Sequence, residues 1–292
     1  MKDTIKKTLK SFATTLSPEL TCRILFYSAF KRRLDTSNPQ TLDEKLCTMK
    51  ITDYARDPLV SLCADKYRVR EYVRGKGLGY ILNECYGAYD HASDIDWERL
   101  PRSFVLKCNH GCAYNILCPD KQVLNRQETI RTLNKWMRED YWRLNAELNY
   151  RGIPKKIICE KYLFSKNGEG IRDYKIYCFH GKPYCMMVCV GREKGKPKFY
   201  FFDADWNLLR INPDSIAAPA GFSIEKPAGT DQMFEYAQIL SQDFKFVRVD
   251  FYDVDGQIIF GEMTFTPASG MDKNRLPETD RLLGGMLHLD GR

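Results

Sequence analysis

No apolar run in the sequence reaches the ~18 residues that a membrane-crossing helix requires, so a transmembrane span is not expected. A secretory leader is not expected either, and no Cys-x-x-Cys pair is present. The eleven cysteines are odd in number, and several lie in apolar runs: Cys159 in KKIICEKYL, Cys185 and Cys189 in YCMMVCV. They read as buried free thiols in a reducing cytoplasm rather than a disulfide scaffold. Cys108 and Cys112 flank His110, but the spacing matches no standard zinc site and a second ligand cluster is lacking. No Ser–His–acid or Cys–His arrangement is supported by spacing, although Cys112 stands two residues from His110, and His180 is a second candidate acid or base. Internal repeats and low-complexity tracts are absent.

What is present fits a globular chain of 292 residues, 43% apolar and 28% charged, with room for one elaborate domain or two tightly joined lobes. The net charge of +7 suits an anionic partner: a nucleotide, an acidic glycan, a membrane surface or a nucleic acid. Lys and Arg are spread along the chain rather than gathered with aromatics, which argues against nucleic acid. The first residues, MKDTIKKTLKSFATTL, place Ile5, Leu9 and Phe12 at helical spacing with lysines between. A helix packed on the domain is one reading; peripheral association with an anionic membrane surface is the other.

The periodicity divides the chain into a helical region (1–74), a first α+β part (75–159) and a second (160–292). In the helical region a turn falls at Ser37-Asn38-Pro39, and TLDEKL carries a capping signature, Thr41 with Glu44 three residues on. DPLVSLCADKYRVREYV reads as one helix ended by Gly75, Gly77 and Gly79. SFVLKCNHG is a strand entering a loop, RQETIRTLNKWMREDYWRLNAEL one long amphipathic helix, and KKIICEKYL a buried strand. IRDYKIYCFHG, PYCMMVCVG and KFYFFDA form a meander, MFEYAQILSQDF a helix, and the last strands form a hairpin around Asp255-Gly256.

That hairpin carries the strongest chemical signal. Asp250 and Glu262 stand in its two strands, with Arg248 and Tyr252 on the face of Asp250 and Thr264 on the face of Glu262. Two facing carboxylates repel unless a cation lies between them, and magnesium takes such hard oxygen ligands. A two-residue turn would pair Asp250 with Gly261 and turn the acids to opposite faces. A metal site therefore predicts a bulged turn at Gly256. The alternative is two acids on a solvated sheet face. In FVLKCNHGCAYN, Lys107 and the following loop offer a cation and backbone N–H groups to phosphate, or form an ordinary strand-to-turn transition. Asp173 and Lys175 share a face of their strand and could grip a ribose hydroxyl and a phosphate, or form a surface ion pair.

Taken in order from NPQTLDEKL at Asn38 to TFTPASG ending at Gly270, these segments resemble the ATP-grasp superfamily, and within it the TupA-like (teichuronopeptide-biosynthesis) branch. The resemblance implies an α+β ATP-grasp fold, with two lobes clamping ATP behind a helical N-terminal region. It implies ATP and Mg2+ as cofactors. Lys107 then matches the phosphate lysine, and His110, Gly111, Cys112 and Asn115 belong to the loop covering the phosphates. Glu160, Lys161 and Leu163 match the adenine hinge, largely through backbone groups at 161 and 163. Asp173 matches the ribose acid, Lys175 the catalytic lysine at the transferred phosphoryl, and Asp250, Glu262 and Thr264 the metal ligands. Thr264 stands where the family has Asn, and the loop holds less glycine than is usual. The implied reaction is carboxylate–amine ligation through an acyl phosphate. The substrates would be an acidic glycan or sugar nucleotide and an amine or amino acid, in the biosynthesis of bacterial surface polysaccharide. Lys66 and Arg70, one helical turn apart, and Ser269 are candidates for holding the acidic substrate, Lys66 and Arg70 being otherwise part of a solvated helix face. The location expected is cytoplasmic, free or, as the alternative, at the inner face of the membrane. Competing readings are a glycosyltransferase, for which Asp203 and Asp205 in FFDADWN mimic an acid-x-acid motif, and a non-catalytic anion-binding protein.

Overall fold

In the computed structural model, residues 10–166, 171–191 and 195–289 are described; Ile5 and Leu9 lie outside them. Residues 10–16 are helical. Helix α1 (Pro18–Phe30) follows, with Ser17 accepting from the Leu20 N–H and proline at the first turn. Helix α2 (Leu42–Ile51) starts on the expected capping box, Thr41 and Glu44 satisfying each other's backbone N–H. Arg32 also bonds the Glu44 carboxylate.

The single helix expected next is two, α3 (Pro58–Ala64) and α4 (Val69–Gly75). Asp65 breaks it. Its carboxylate accepts from the N–H groups of Tyr67 at 2.8 Å and Arg68 at 3.2 Å, an Asx turn that competes with the helical pattern. Lys66 thus sits in a turn, and the expected helix face carrying Lys66 and Arg70 does not exist.

The first sheet contains β1 (Cys85–Tyr89), β2 (Phe104–Cys108), β3 (Asn115–Cys118) and β4 (Ile157–Lys161) in the order β1-β4-β2-β3, all antiparallel. The long amphipathic helix is also divided, into α5 (Arg126–Arg138) and α6 (Trp142–Asn145), because Glu139 turns extended and accepts from the Tyr114 hydroxyl at 2.7 Å. The lobe boundary set between residues 159 and 160 falls inside β4, so this lobe runs to Lys161.

The second sheet contains β5 (Asp173–Phe179), β6 (Lys182–Val190), β7 (Lys198–Phe202), β8 (Leu208–Leu209), β9 (Phe246–Val254) and β10 (Gln257–Thr264). Its order is β10-β9-β5-β6-β7-β8, so the expected meander is present and the late hairpin docks on β5. Helices α7 (Pro213–Ala217), α8 (Thr230–Ser241) and α9 (Pro277–Met286) complete the chain. Val247, Val249 and Phe251 of β9 are fully buried against a core that also takes Leu42, Leu46 and Val73. The helical region is therefore packed into the second lobe rather than standing apart from it.

The hairpin reaches the expected pairing by another device. Asp255 and Gly256 both have positive φ and make a tight two-residue turn, with Val254 opposite Gln257. The bulge lies at Gly261: Phe260 pairs with Phe251, and Glu262 with Asp250. A Cβ at Gly261 would come within 2.9 Å of the Asp250 carbonyl oxygen, so the bulge requires glycine there and not at 256. All eleven cysteines are free. No described helix is long and apolar enough to cross a membrane.

Candidate active site

Alternation along β5, β9 and β10 puts Asp173, Lys175 and Tyr177, then Arg248, Asp250 and Tyr252, then Glu262 and Thr264, on one face of the second sheet. The register sets Lys175 opposite Asp250 and Asp250 opposite Glu262. Lys175 Nζ lies 2.5 Å from Asp173 and 2.7 Å from Asp250. Arg248 grips both oxygens of Asp250 at 2.7 Å and donates to the Thr264 hydroxyl at 3.2 Å. The Thr264 hydroxyl donates to Glu262 at 3.3 Å, and Lys66 reaches the other oxygen of Glu262 at 2.8 Å.

Facing this face, the first sheet offers Lys107 on β2, bonded at 2.6 Å to Glu160 on β4. Arg70 of α4 approaches the other oxygen of Glu160 at 3.4 Å and donates to the Asn83 carbonyl at 2.8 Å. A cavity of about 320 Å³ lies between the sheets, lined among others by Lys107, Asn115, Glu160, Leu163, Tyr252 and Phe260. Its size is that of a small-molecule site.

Five basic side chains (Lys66, Arg70, Lys107, Lys175, Arg248) thus meet four carboxylates (Glu160, Asp173, Asp250, Glu262). Burial works against the charge on Glu262, but Lys66, Arg248 and Lys175 hold its carboxyl well below the usual range. Burial likewise disfavours charge on Lys66, Lys107 and Lys175, and it is outweighed by Glu262, Glu160 and Asp250 respectively, which raise the three ammonium pKa values. The cleft therefore gathers one more basic than acidic side chain, which suits a polyphosphate.

Among the described residues no group of three or more His, Cys, Asp or Glu is placed to hold a metal ion. An all-protein cage is thereby not what this face offers. Two cross-strand carboxylates with an adjacent hydroxyl fit magnesium, which is ordinarily held by one or two carboxylates together with substrate phosphates.

Several expected site residues are brought to this cleft: Lys107, Asn115, Glu160, Leu163, Asp173, Lys175, Asp250, Glu262 and Thr264. Others need correction. Lys66 and Arg70 are bonded to Glu262 and Glu160, so they are members of the ion-pair grid and not free grips for a substrate acid. His110 is 2% exposed, its Nε2 lies 3.2 Å from the Trp136 carbonyl, and it does not face the cavity. Gly111 is required by the Tyr141 ring, which a Cβ would meet at 2.6 Å. The Cys112 thiol lies 3.6 Å from the Tyr150 hydroxyl, and burial raises its pKa, so it is no activated nucleophile. Lys161 lines the cavity, but its N–H already donates to Glu84 and its carbonyl accepts from Asn83. The Ser269 hydroxyl is turned into a buried network with Glu147 and Asn145. Asp203 binds the backbone and side chain of Asn207 in the turn between β7 and β8, as a turn-forming residue does.

The sequence by itself does not mark Arg248 and Tyr252 as functional. The only signal was their alternation with Asp250 in VRVDFY; the grip of Arg248 on Asp250 depends on side-chain geometry that alternation does not give.

A family model described as TupA-like ATPgrasp matches residues 44–288. Among solved structures, the D-alanine–D-alanine ligase of Bacillus anthracis complexed with ATP matches at 16% identity and TM-score 0.45, over 78% of this chain and 62% of that one. The D-alanine–D-alanine ligase of Helicobacter pylori gives the same identity, TM-score and coverage. The N5-carboxyaminoimidazole synthetase of Staphylococcus aureus complexed with ADP matches at 12% identity and TM-score 0.44, over 86% and 52%. The chain spans less than two thirds of the length of each of these proteins. A search of curated proteins gives no match.

Proposed function

The chain belongs to the TupA-like ATP-grasp family, its model covering residues 44–288, and from that premise we propose that it is an ATP-dependent carboxylate–amine ligase. The observation that carries the proposal is the grid of Asp173, Lys175, Arg248, Asp250 and Glu262 on one sheet face, beside a cavity closed by Lys107 and Glu160 from the other sheet.

In this reading the cavity holds the nucleoside, with Leu163 and the end of β4 at the base and Asp173 at the ribose. Lys107 and Lys175 take the phosphates. Asp250 and Glu262, with Thr264 beside them, would hold magnesium, which when bound neutralises phosphate charge. A carboxylate oxygen of the substrate attacks the γ-phosphorus, ADP leaves, and an acyl phosphate results. An amine then attacks the acyl carbon, inorganic phosphate leaves and the nitrogen loses a proton. Lys175 and the Arg248 guanidinium would offset the charge that moves during phosphoryl transfer.

The proposed substrates are an acidic glycan or sugar nucleotide and an amino acid or other amine, joined in surface-polysaccharide biosynthesis on the cytoplasmic side. The basic composition supports an acidic substrate. The test is ADP release by the purified protein across a panel of uronic acids and amino acids, with product masses recorded. Release that requires both an acid and an amine, with a product lighter by water than their sum, is expected. No magnesium-dependent stabilisation by ATP, or ADP release indifferent to both substrates, would sink the proposal.

A further inference from the structure

The helices preceding the family-matched region present an apolar stripe to solvent. Phe12 and Leu16 on the helix at 10–16, then Leu20, Ile24 and Tyr27 on α1, are each more than half exposed. Their spacing of four, four, four and three residues is that of one helix face. The two helices run almost without interruption, since Ser17 N–H donates to Ala13 at 2.9 Å and Thr21 N–H to Ser17 at 3.0 Å. The opposite faces are the buried ones: Thr14 donates to the Arg143 carbonyl, and Cys22 and Phe26 enter a small core with Leu34, Cys47 and Ala146. The outward stripe is therefore left mostly to solvent. A contiguous exposed apolar patch on an otherwise ordinary surface marks an interaction site.

Charge selects the occupant. Residues 1–36 hold eight Lys and Arg against three Asp and Glu. Two of those acids are occupied locally, Glu19 by Arg23 and Asp35 by the N–H groups of Ser37 and Asn38, and of the cations Lys10, Arg23 and Arg32 bond to Asn145, Glu19 and Glu44. Lys31 and Arg33 are exposed at the end of α1. A second copy of this chain docked on the same face would bring two such cationic segments together, which like-charge repulsion opposes. An anionic bilayer answers both features at once: headgroups for the Lys and Arg, and the acyl boundary for Phe12, Leu16, Leu20, Ile24 and Tyr27. We propose that the outer face of these two helices seats the protein on an anionic lipid surface, independently of the reaction in the cleft.

The whole chain is to be sedimented with vesicles of phosphatidylcholine alone and of phosphatidylcholine with phosphatidylglycerol, and compared with the L16D/I24D double variant. Both side chains are exposed, so the variant should fold; an unchanged melting temperature without ligand checks this. The expected result is binding to the anionic vesicles, weaker binding to neutral ones, weakening by salt, and at least about a tenfold loss in the variant. Absence of binding to anionic vesicles, or equal binding by the variant, overturns the proposal. So does sedimentation velocity showing a dimer that the variant breaks with no vesicle dependence, which would assign the stripe to self-association. Loss of ligase activity alone leaves this outcome untouched, because vesicle binding is read without turnover.

Discussion

Replacing Asp250 by Asn removes one charge from the most tightly bonded point of the cleft. Asp250 is 3% exposed and accepts from Arg248 Nε and Nη2 and from Lys175 Nζ, each at 2.7 Å. An amide keeps one acceptor oxygen and turns an NH2 group toward one of two cations. Removing one partner of a buried ion pair costs about 3–5 kcal/mol. The lower end applies, because Lys175 keeps Asp173 at 2.5 Å, and Arg248 keeps the Thr264 hydroxyl at 3.2 Å and Glu262 at 3.9 Å. A loss of roughly 3 kcal/mol lowers Tm by about 6–12 °C in a chain of this size. The site becomes one charge more positive, so ATP without metal should still bind. ADP release with magnesium should fall by about a hundredfold or more, because a proposed ligand is lost and the placement of Arg248 with it. Thermal denaturation with and without nucleotide, beside the ADP assay, separates the two effects. A variant as stable and as active as the parent refutes the reasoning. Lost turnover at unchanged Tm would keep Asp250 in the reaction and refute its place in the stability of the grid.

The bulge is tested by Gly261→Ala against Gly256→Ala. The first meets the Asp250 carbonyl at 2.9 Å and the second meets nothing within 4 Å, although both strain the backbone or its neighbours. Gly261→Ala should cost about 1–3 kcal/mol and reduce turnover; Gly256→Ala should cost about 1 kcal/mol through its positive φ and leave turnover intact. Equal effects on turnover would contradict the register argument. Acid stability is expected to depend on Glu262. Its folded pKa is held below the ordinary 4.5, so the stabilisation is present above that pH and lost as pH falls through and below it. Urea midpoints should drop along this limb, and less steeply in Lys66→Ala, where the nearest cation is gone. Under native conditions a thiol reagent should label Cys85 and Cys112 first, since the other nine cysteines are buried, and all eleven in denaturant.

What was legible in the sequence was whatever a short window contains. The capping box of α2 is written in four consecutive residues, the meander in its alternation, and the common face of Asp250 and Glu262 in the chemistry of paired acids. The device was misplaced because Asp255-Gly256 makes a good two-residue turn by itself. The extra residue then had to be absorbed elsewhere, and only backbone proximity at Gly261 says where. The break at Asp65 was written in the same way, as an acid before two N–H groups, but the apolar pattern on either side concealed it. His110 and Gly111 resemble a phosphate loop because they follow a strand ending in Lys107. Their reasons for being there, the Trp136 carbonyl and the Tyr141 ring, lie in a segment well downstream in the sequence.

The roles of Lys66 and Arg70 show the same limit and carry a further consequence. Their partners are 196 and 90 residues away, so the sequence offers them as unpaired cations. In the folded protein they neutralise Glu262 and Glu160, and the cations of the cleft are bonded to its own acids. On the proposed function, a nucleotide entering the cleft would compete with carboxylates for Lys66 and Lys107, and magnesium would compete with Lys66 and Arg248 for the acids. Glu262→Gln takes one carboxylate out of that competition and releases Lys66. It should bind ATP more tightly than the parent when metal is chelated, yet release no ADP when magnesium and both substrates are supplied. Calorimetric titration with ATP in the presence of a chelator reads the first effect. Weaker metal-free binding by Glu262→Gln would mean that Lys66 does not face the phosphates, and the exchange of partners would have to be abandoned even if the enzyme were inactive.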